Sequence, residues 1–203
     1  MKAPDGWEAK RAFDLVVSCG LTTILAPIML CLGIAVRLDS CGPALFRQER
    51  VGIAGRPFRI HKFRTMRLGH DGALVSGTGD ARVTRLGRIL RRTKLDELPQ
   101  LIDVMRGDMS LVGPRPELPA FVALWPAERR ELILTVRPGI TDPASIELRN
   151  EADALARAED PHRFYVDSLL PQKTAMYVAY VESRTFAGDL RILGRTLGAV
   201  LGR

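Results

Sequence analysis

The sequence predicts an α+β protein: a mostly helical single domain with one small β-hairpin and a long apolar helix at its N-terminus. Three observations predict it. Leu15 to Val36 is apolar and free of charged residues. Residues 45–48 and 58–63 form two short extended segments around a turn marked by Gly52, Gly55 and Pro57. Apolar residues then recur at helical spacing from Val83 to the C-terminus. At 203 residues, with 46% hydrophobic and 26% charged, the chain can bury a core, which separates it from disordered sequences.

As a helix, the N-terminal apolar run would be about 33 Å long, enough to cross a bilayer core. It is too long for the apolar core of a signal peptide, and no small-x-small cleavage site follows it. Two readings remain: a transmembrane span, or a re-entrant helix that returns to the face it entered. Pro27 in mid-run removes a backbone hydrogen bond, a break worth about 3 kcal/mol unless compensated. Thr22 and Thr23 could supply hydroxyls to the freed groups. Lys10 and Arg11 precede the run and Arg37, Arg47 and Arg50 follow it. Basic residues prefer the cytoplasmic side, so a re-entrant path satisfies both flanks and a simple span only one. On these residues alone the two readings stand level. Asp14, three and four residues after Arg11 and Lys10, has the spacing of a neutralising ion pair.

Beyond the hairpin, Gly69 to Gly79 carries four glycines and reads as a loop. Arg82 to Thr93 predicts a helix with Val83, Leu86, Ile89 and Leu90 as its apolar stripe and Arg82, Arg85, Arg88, Arg91 and Arg92 as its cationic side. Asp96 is expected to cap a second helix running to about Met105, with Gly107 as its stop. Helices are expected around Ala120 and over Glu128 to Thr135, a turn at Arg137 to Thr141, and an extended piece over Ser145 to Leu148. The C-terminal third is helical, with Phe186, Leu190, Leu193, Leu197 and Val200 on one side and Arg184, Arg191, Arg195 and Arg203 supplying charge. An interfacial membrane helix and an ordinary packing helix account for that pattern equally well.

A net charge of +7 and a pI near 9.8 point to phosphates, whether of nucleic acid, an anionic membrane or a phosphorylated substrate. The three cysteines show neither a disulfide framework nor zinc spacing and favour a reducing compartment. His61, His70 and His162 are scattered and are assigned no function.

The candidate chemistry centres on Asp96 and Glu97. Acidic residues at a helix start ordinarily serve only the macrodipole. Here an arginine-rich segment precedes the pair and a Gly113-Pro114-Arg115-Pro116 turn follows it. The dipole and the cations are expected to keep both carboxylates ionised, as hard-metal ligands for Mg²⁺ or as a nucleophile toward phosphorus. Arg115 between two prolines and Arg137 before Pro138 are rigidly placed candidates for phosphate recognition. Lys62 and Arg64, at the end of the second hairpin arm, are candidates that point into a cleft. Arg85 and Arg88 alone would read as a solvated face, but the all-arginine run suits bidentate phosphate contacts.

These residues resemble a known family, the bacterial sugar transferases that are monotopic phosphoglycosyl transferases. The matching stretches begin with Lys10-Arg11-x-Phe13-Asp14, Leu38-Asp39-Ser40-x-Gly42-Pro43, Phe46 to Gly52 and Lys62-Phe63-Arg64-Thr65-Met66. They continue with Thr84-Arg85-x-Gly87-Arg88, Leu95 to Leu101, Gly107-Asp108-Met109-Ser110, Val112 to Pro116 and Arg137 to Thr141. The resemblance implies transfer of a phosphosugar from a UDP-sugar to polyprenol (undecaprenyl) phosphate with release of UMP, the start of a glycoconjugate pathway. It implies Asp96 as nucleophile of a ping-pong reaction, Glu97 at a Mg²⁺ site shared with Asp96, and a re-entrant helix broken at Pro27. The organisation it implies is a re-entrant region over residues 1–40 and a catalytic domain over 41–203, working as one unit at the cytoplasmic face of the bacterial inner membrane. Expected partners are the UDP-sugar, the polyprenol phosphate and membrane lipids, with no nucleic acid; a homodimer stays open. Two departures stand out. Ala26-Pro27 replaces the family's frequent Ser-Pro. Asp142-Pro143-Ala144-Ser145-Ile146 replaces its frequent Gly-Trp-Ala-Gln, which leaves the sugar open. The rival class is a non-enzymatic basic membrane or nucleic-acid-binding protein, for which 6% aromatic residues offer little base stacking.

Overall fold

The computed structural model describes residues 7–68 and 75–201. Residues 69–74, most of the expected glycine-rich loop and with it His70, lie outside them, as does Arg203. The chain is α+β and mostly helical, as the sequence predicts.

Helix α1 runs Trp7–Asp39 as one helix with Pro27 inside it. Its most apolar stretch is only 6% buried within the protein, so it is no core helix; Val16, Ile24 and Leu30 are exposed. Its two ends, in contrast, are fastened to the folded body. Lys10, Asp14 and Ser18 recur every fourth residue and are buried. The Lys10 ammonium lies 3.4 Å from Asp14 Oδ1 and 2.8 Å from Asp189 Oδ2, and Ser110 Oγ donates to Asp14 Oδ2 at 2.7 Å. Arg11 donates to the Val104 carbonyl at 2.8 Å. At the far end Arg64 donates to the carbonyls of Val36 (3.3 Å), Ser40 (2.7 Å) and Cys41, in the last turn of the helix and just beyond it. Val36 packs there with Phe63 and Leu90. The threonines do not serve the Pro27 break as expected. Thr23 donates to Cys19 O, one turn upstream, at 2.9 Å, and the buried Thr22 hydroxyl has no partner among the described residues.

Strands β1 (Leu45–Val51) and β2 (Pro57–Phe63) form the expected antiparallel hairpin, with Leu45 opposite Phe63 and Val51 opposite Pro57. Helix α2 (Arg85–Thr93) starts where Thr84 Oγ1 accepts from Gly87 N–H at 2.9 Å and ends at Lys94, whose φ of 60° is left-handed. The helix expected from Asp96 is a different object. Pro99 has no N–H to return to the Leu95 carbonyl, so Leu98 N–H takes that carbonyl at 3.3 Å and Leu95–Glu97 forms a 3-10 turn. Helix α3 begins only at Gln100 and runs to Arg106, with Gly107 (φ 93°) as its stop.

A second sheet was not expected. Strand β3 (Ser110–Val112) pairs in parallel with β4 (Gly139–Thr141), Ser110 opposite Gly139 and Val112 opposite Thr141. The crossover between them carries α4 (Pro119–Val122) and α5 (Ala127–Ile133). The extended piece expected over Ser145 to Leu148 is instead part of helix α6 (Pro143–Glu147). Asp142 caps it, accepting from Ser145 N–H at 3.0 Å, and proline is tolerated at its first position. Then follow α7 (Glu151–Arg157), α8 (Pro161–Phe164), a π-helical turn over Tyr165–Leu169, α9 (Leu170–Ser183) and α10 (Phe186–Leu201). On α10, Ile192 and Leu193 pack against the buried core while Leu190 and Leu197 are exposed, so that helix has both a packing face and an open apolar face.

The parallel strand pair depends on two glycines meeting backbone to backbone. A Cβ on Gly139 would collide with Gly113 N and O and stand 2.7 Å from its Cα. Gly139→Ala is expected to destabilise the protein by about 3 kcal/mol, because backbone cannot yield as a side chain does. Thermal melting in detergent checks this; an unchanged midpoint would contradict the close approach.

Candidate active site

The 3-10 turn forced by Pro99 presents Asp96 and Glu97, each only 8% exposed. Two separate segments converge on Glu97. From β2, Lys62 Nζ donates to Glu97 Oε1 at 3.2 Å. From the turn after β3, Arg115 Nη1 donates to Oε2 at 3.3 Å and Nη2 donates to Oε1, a two-pronged grip on one carboxylate. Arg115 is itself steadied by the Ile140 carbonyl at 3.4 Å. Asp96 differs. Its buried Oδ1 has no hydrogen-bond partner among the described residues.

Electrostatics separates the two carboxylates. Burial raises the Asp96 pKa and the neighbouring Glu97 charge raises it further, against the pull of Lys62, Lys94 and Arg115. Burial also pushes Glu97 up, but Arg115, Lys62 and Lys94 together with the Arg115 hydrogen bond outweigh it and hold Glu97 well below the usual carboxylate range. Strong ionisation, expected of both, is thus reinforced at Glu97 and opposed at Asp96. Burial lowers Lys62 to about 8 although Glu97 favours its charged form, and Glu97 raises Arg115.

Of the sequence candidates, Asp96, Glu97, Lys62 and Arg115 come together. Arg64 does not join them; it is buried against the last carbonyls of α1. Arg85 and Arg88 are exposed on α2. Arg137 donates to Gly107 O at 2.8 Å, behind the end of α3. Sequence reasoning missed His61. Its N–H donates to Asp103 Oδ2 at 2.9 Å and its Nδ1 lies 2.5 Å from Oδ1, pinning the strand of Lys62 to the helix that follows Glu97. Also missed were Glu117, Tyr165 and Lys173. A signal for Lys173 existed: it is the only lysine after Lys94, in a stretch where arginine is otherwise used.

Two cavities adjoin the site, and Arg115 lines both. One, of about 260 Å³, is polar and faces Arg50, Lys62, Glu117, Tyr165 and Lys173. The other, of about 190 Å³, lies between α1 and the body. Leu21, Leu25, Leu98, Leu101 and Ile140 contribute to its walls, and Lys94, Glu97, Arg115 and Arg149 are its charged members.

The chain matches the family model "Bacterial sugar transferase" over residues 6–203. It belongs to the bacterial sugar transferase family. This sugar transferase is 41% identical over 197 residues to the UDP-glucose:undecaprenyl-phosphate glucose-1-phosphate transferase of Caulobacter vibrioides, covering 95% of this chain and 69% of that protein. It is 40% identical over 161 residues to the UDP-N-acetylgalactosamine-undecaprenyl-phosphate N-acetylgalactosaminephosphotransferase of Aeromonas hydrophila, covering 77% of this chain but 38% of that longer protein. It is 36% identical over 207 residues to the exopolysaccharide production protein PSS of Rhizobium leguminosarum, covering 96% of both.

The buried lysine gives a direct check on this sugar transferase's electrostatics. In metal-free protein with ¹⁵N-labelled lysine, one side-chain signal is expected to titrate near pH 8 and to vanish in Lys62→Arg. If every lysine titrates in the ordinary range near 10.4, Lys62 is not desolvated against Glu97.

Proposed function

We propose that this chain transfers a phosphosugar from a UDP-sugar to polyprenol (undecaprenyl) phosphate and releases UMP, the opening step of a glycoconjugate. One observation carries the reading. A buried carboxylate with an unpartnered oxygen, Asp96, sits beside a carboxylate already neutralised by Lys62 and Arg115. Family membership and the names of the relatives support the same reaction class.

The chemistry runs in two displacements. An Asp96 carboxylate oxygen attacks the sugar-linked phosphorus of the donor; the bond from that phosphorus to the bridging oxygen breaks, and UMP leaves with the electron pair. An oxygen of the lipid phosphate then attacks the same phosphorus and frees the Asp96 carboxylate. Both acids are desolvated, but Glu97 is held by its cations while Asp96 keeps an unpartnered oxygen, which makes Asp96 the more reactive of the two. Lys62 and Arg115, fixed before substrate arrives, offset charge on the transferring group without reorganising. Glu97 holds those two cations in place.

The donor set suits Mg²⁺. Among the described residues no cluster of three or more His, Cys, Asp or Glu side chains is arranged to hold a metal, but Mg²⁺ ordinarily takes one or two carboxylates and completes its shell with phosphates and water. Asp96 has the open oxygen for this, and Glu97 would join by sharing one with its cations. When bound, the ion would neutralise phosphate charge.

The membrane arrangement follows from α1. A helix crossing a hydrocarbon core about 30 Å thick would deliver its ends to opposite faces. Here Lys10 and Asp14 at one end and Val36 and Ser40 at the other are tied to the same folded body. This supports a re-entrant helix turning at Pro27, with the body on the cytoplasmic face of the bacterial inner membrane, where the basic flanks prefer to lie. The apolar cavity beside Leu21 and Leu25 then suits the polyprenol, delivering its phosphate toward Lys94 and Arg115.

The test is UMP release by the membrane-reconstituted protein with Mg²⁺, undecaprenyl phosphate and a panel of UDP-sugars. Release beyond one UMP per enzyme should need the lipid, and turnover should stop on chelation and fall about 100-fold in Arg115→Ala. Sustained turnover without lipid, or an Arg115→Ala enzyme within about twofold of wild type, would contradict the reading.

A further inference from the structure

One buried ionic cluster is not used by the steps above. The Lys173 ammonium on α9 lies 2.9 Å from Glu151 Oε1, 3.6 Å from Glu117 Oε1 and 3.3 Å from the Tyr165 hydroxyl. Tyr165 O–H donates to Glu117 Oε1 at 2.6 Å, and Arg50 stands 3.8 Å from Glu117 Oε2. Lys173 and Glu117 are 6% and 5% exposed. Such a cluster is a poor way to stabilise a core: desolvating ions is costly, and apolar side chains of similar volume commonly do as well or better.

The cluster lines the cavity of about 260 Å³ whose other members include Lys62 and Arg115, the cations that grip Glu97. That cavity therefore contains two chemistries. Arg50, Lys62 and Arg115 attract phosphate. Glu117 and Glu151 repel it, yet together with the Lys173 ammonium and the Tyr165 hydroxyl they match neighbouring alcohols, each of which can donate to a carboxylate and accept from an ammonium. A nucleobase is a poor fit. The Tyr165 ring is already occupied by Phe121, at 4.6 Å between centroids, and by Lys173, 4.8 Å from its centroid. The volume is also below the range of about 300–1,000 Å³ typical of drug-sized ligands, so it suits one ring rather than a whole nucleotide sugar.

We propose that the donor's sugar ring occupies this cavity and that Glu151 and Lys173 read its hydroxyls, making them the residues that select the sugar. This rests on the phosphosugar transfer proposed above and adds to it where the sugar lies. Glu151 is the member to change, since its side chain is 26% exposed and glutamine matches its shape.

The experiment compares wild type with Glu151→Gln and Glu151→Asp in two arms. In the first, kcat/KM for UMP release is measured with UDP-glucose, UDP-galactose and their two N-acetylamino counterparts. In the second, binding of UDP and of each UDP-sugar is measured without lipid, with all three proteins carrying Asp96→Asn so that no adduct forms. Both variants should melt like wild type and bind UDP unchanged, while the ratio of kcat/KM between the best and second donors shifts about tenfold and the extra affinity for UDP-sugar over UDP is lost. An equal loss for all donors, or unchanged ratios, would overturn the proposal and leave the cluster a structural one. Absence of turnover by wild type would sink the transferase reading instead, and the binding arm would still judge the pocket: equal effects on UDP and UDP-sugar there would overturn it.

Discussion

The grip of Lys62 and Arg115 on Glu97 is the interaction around which the site is built. Glu97 stands on the turn before α3, Lys62 on the hairpin and Arg115 on the turn after β3. A buried carboxylate without such partners would protonate or move to water. With them it stays charged, and its charge adds to the burial that pushes the adjacent Asp96 upward. The supporting contacts serve the same arrangement. His61 and Asp103 hold strand to helix, the glycines at 113 and 139 let the Arg115 turn lie on β4, and Pro99 keeps the dyad on a tight turn instead of a helix.

The long apolar helix α1 is organised by a related economy of charge. Its exposed length is apolar, while the buried Lys10 and Asp14 at its N-terminal end are polar and paired. Lys10 bridges Asp14 and Asp189, tying α1 to α10, and Tyr180 adds a hydrogen bond to Asp189 at 2.9 Å. Arg64 performs the equivalent service at the other end by taking the last carbonyls. An ionic lock of this kind costs desolvation, but it fixes where the helix leaves the body, and that sets the distance between the apolar cavity and the carboxylates.

Local signals were legible wherever a few neighbouring residues decide the outcome. The turn glycines and extended segments give the hairpin, Thr84 and the apolar stripe give α2, and Lys10-Asp14 spacing gives the ion pair. Pairings across the chain were not. Three-residue strands such as β3 and β4 carry no usable periodicity, and their partner is fixed by a crossover. Asp142 and Pro143 are residue types that cap and open a helix, a signal that the extended piece expected over Ser145 to Leu148 left unused. Asp96 resembled a helix cap because aspartate usually is one there, whereas Pro99 three residues on decides otherwise. Among the cations, the sequence could name Lys62, Arg64 and Arg115 as candidates but could not tell which would face a carboxylate and which a helix end, since that depends on where α1 docks.

The central claim is that Asp96 is the atom donor to phosphorus. Intact-protein mass spectrometry of wild type incubated with its UDP-sugar and no lipid acceptor tests it most directly. The account predicts a gain equal to one phosphosugar, mapped by fragmentation to Asp96 and absent from Asp96→Asn, which should also lose turnover. Full turnover by Asp96→Asn, or an adduct on another residue, would contradict it.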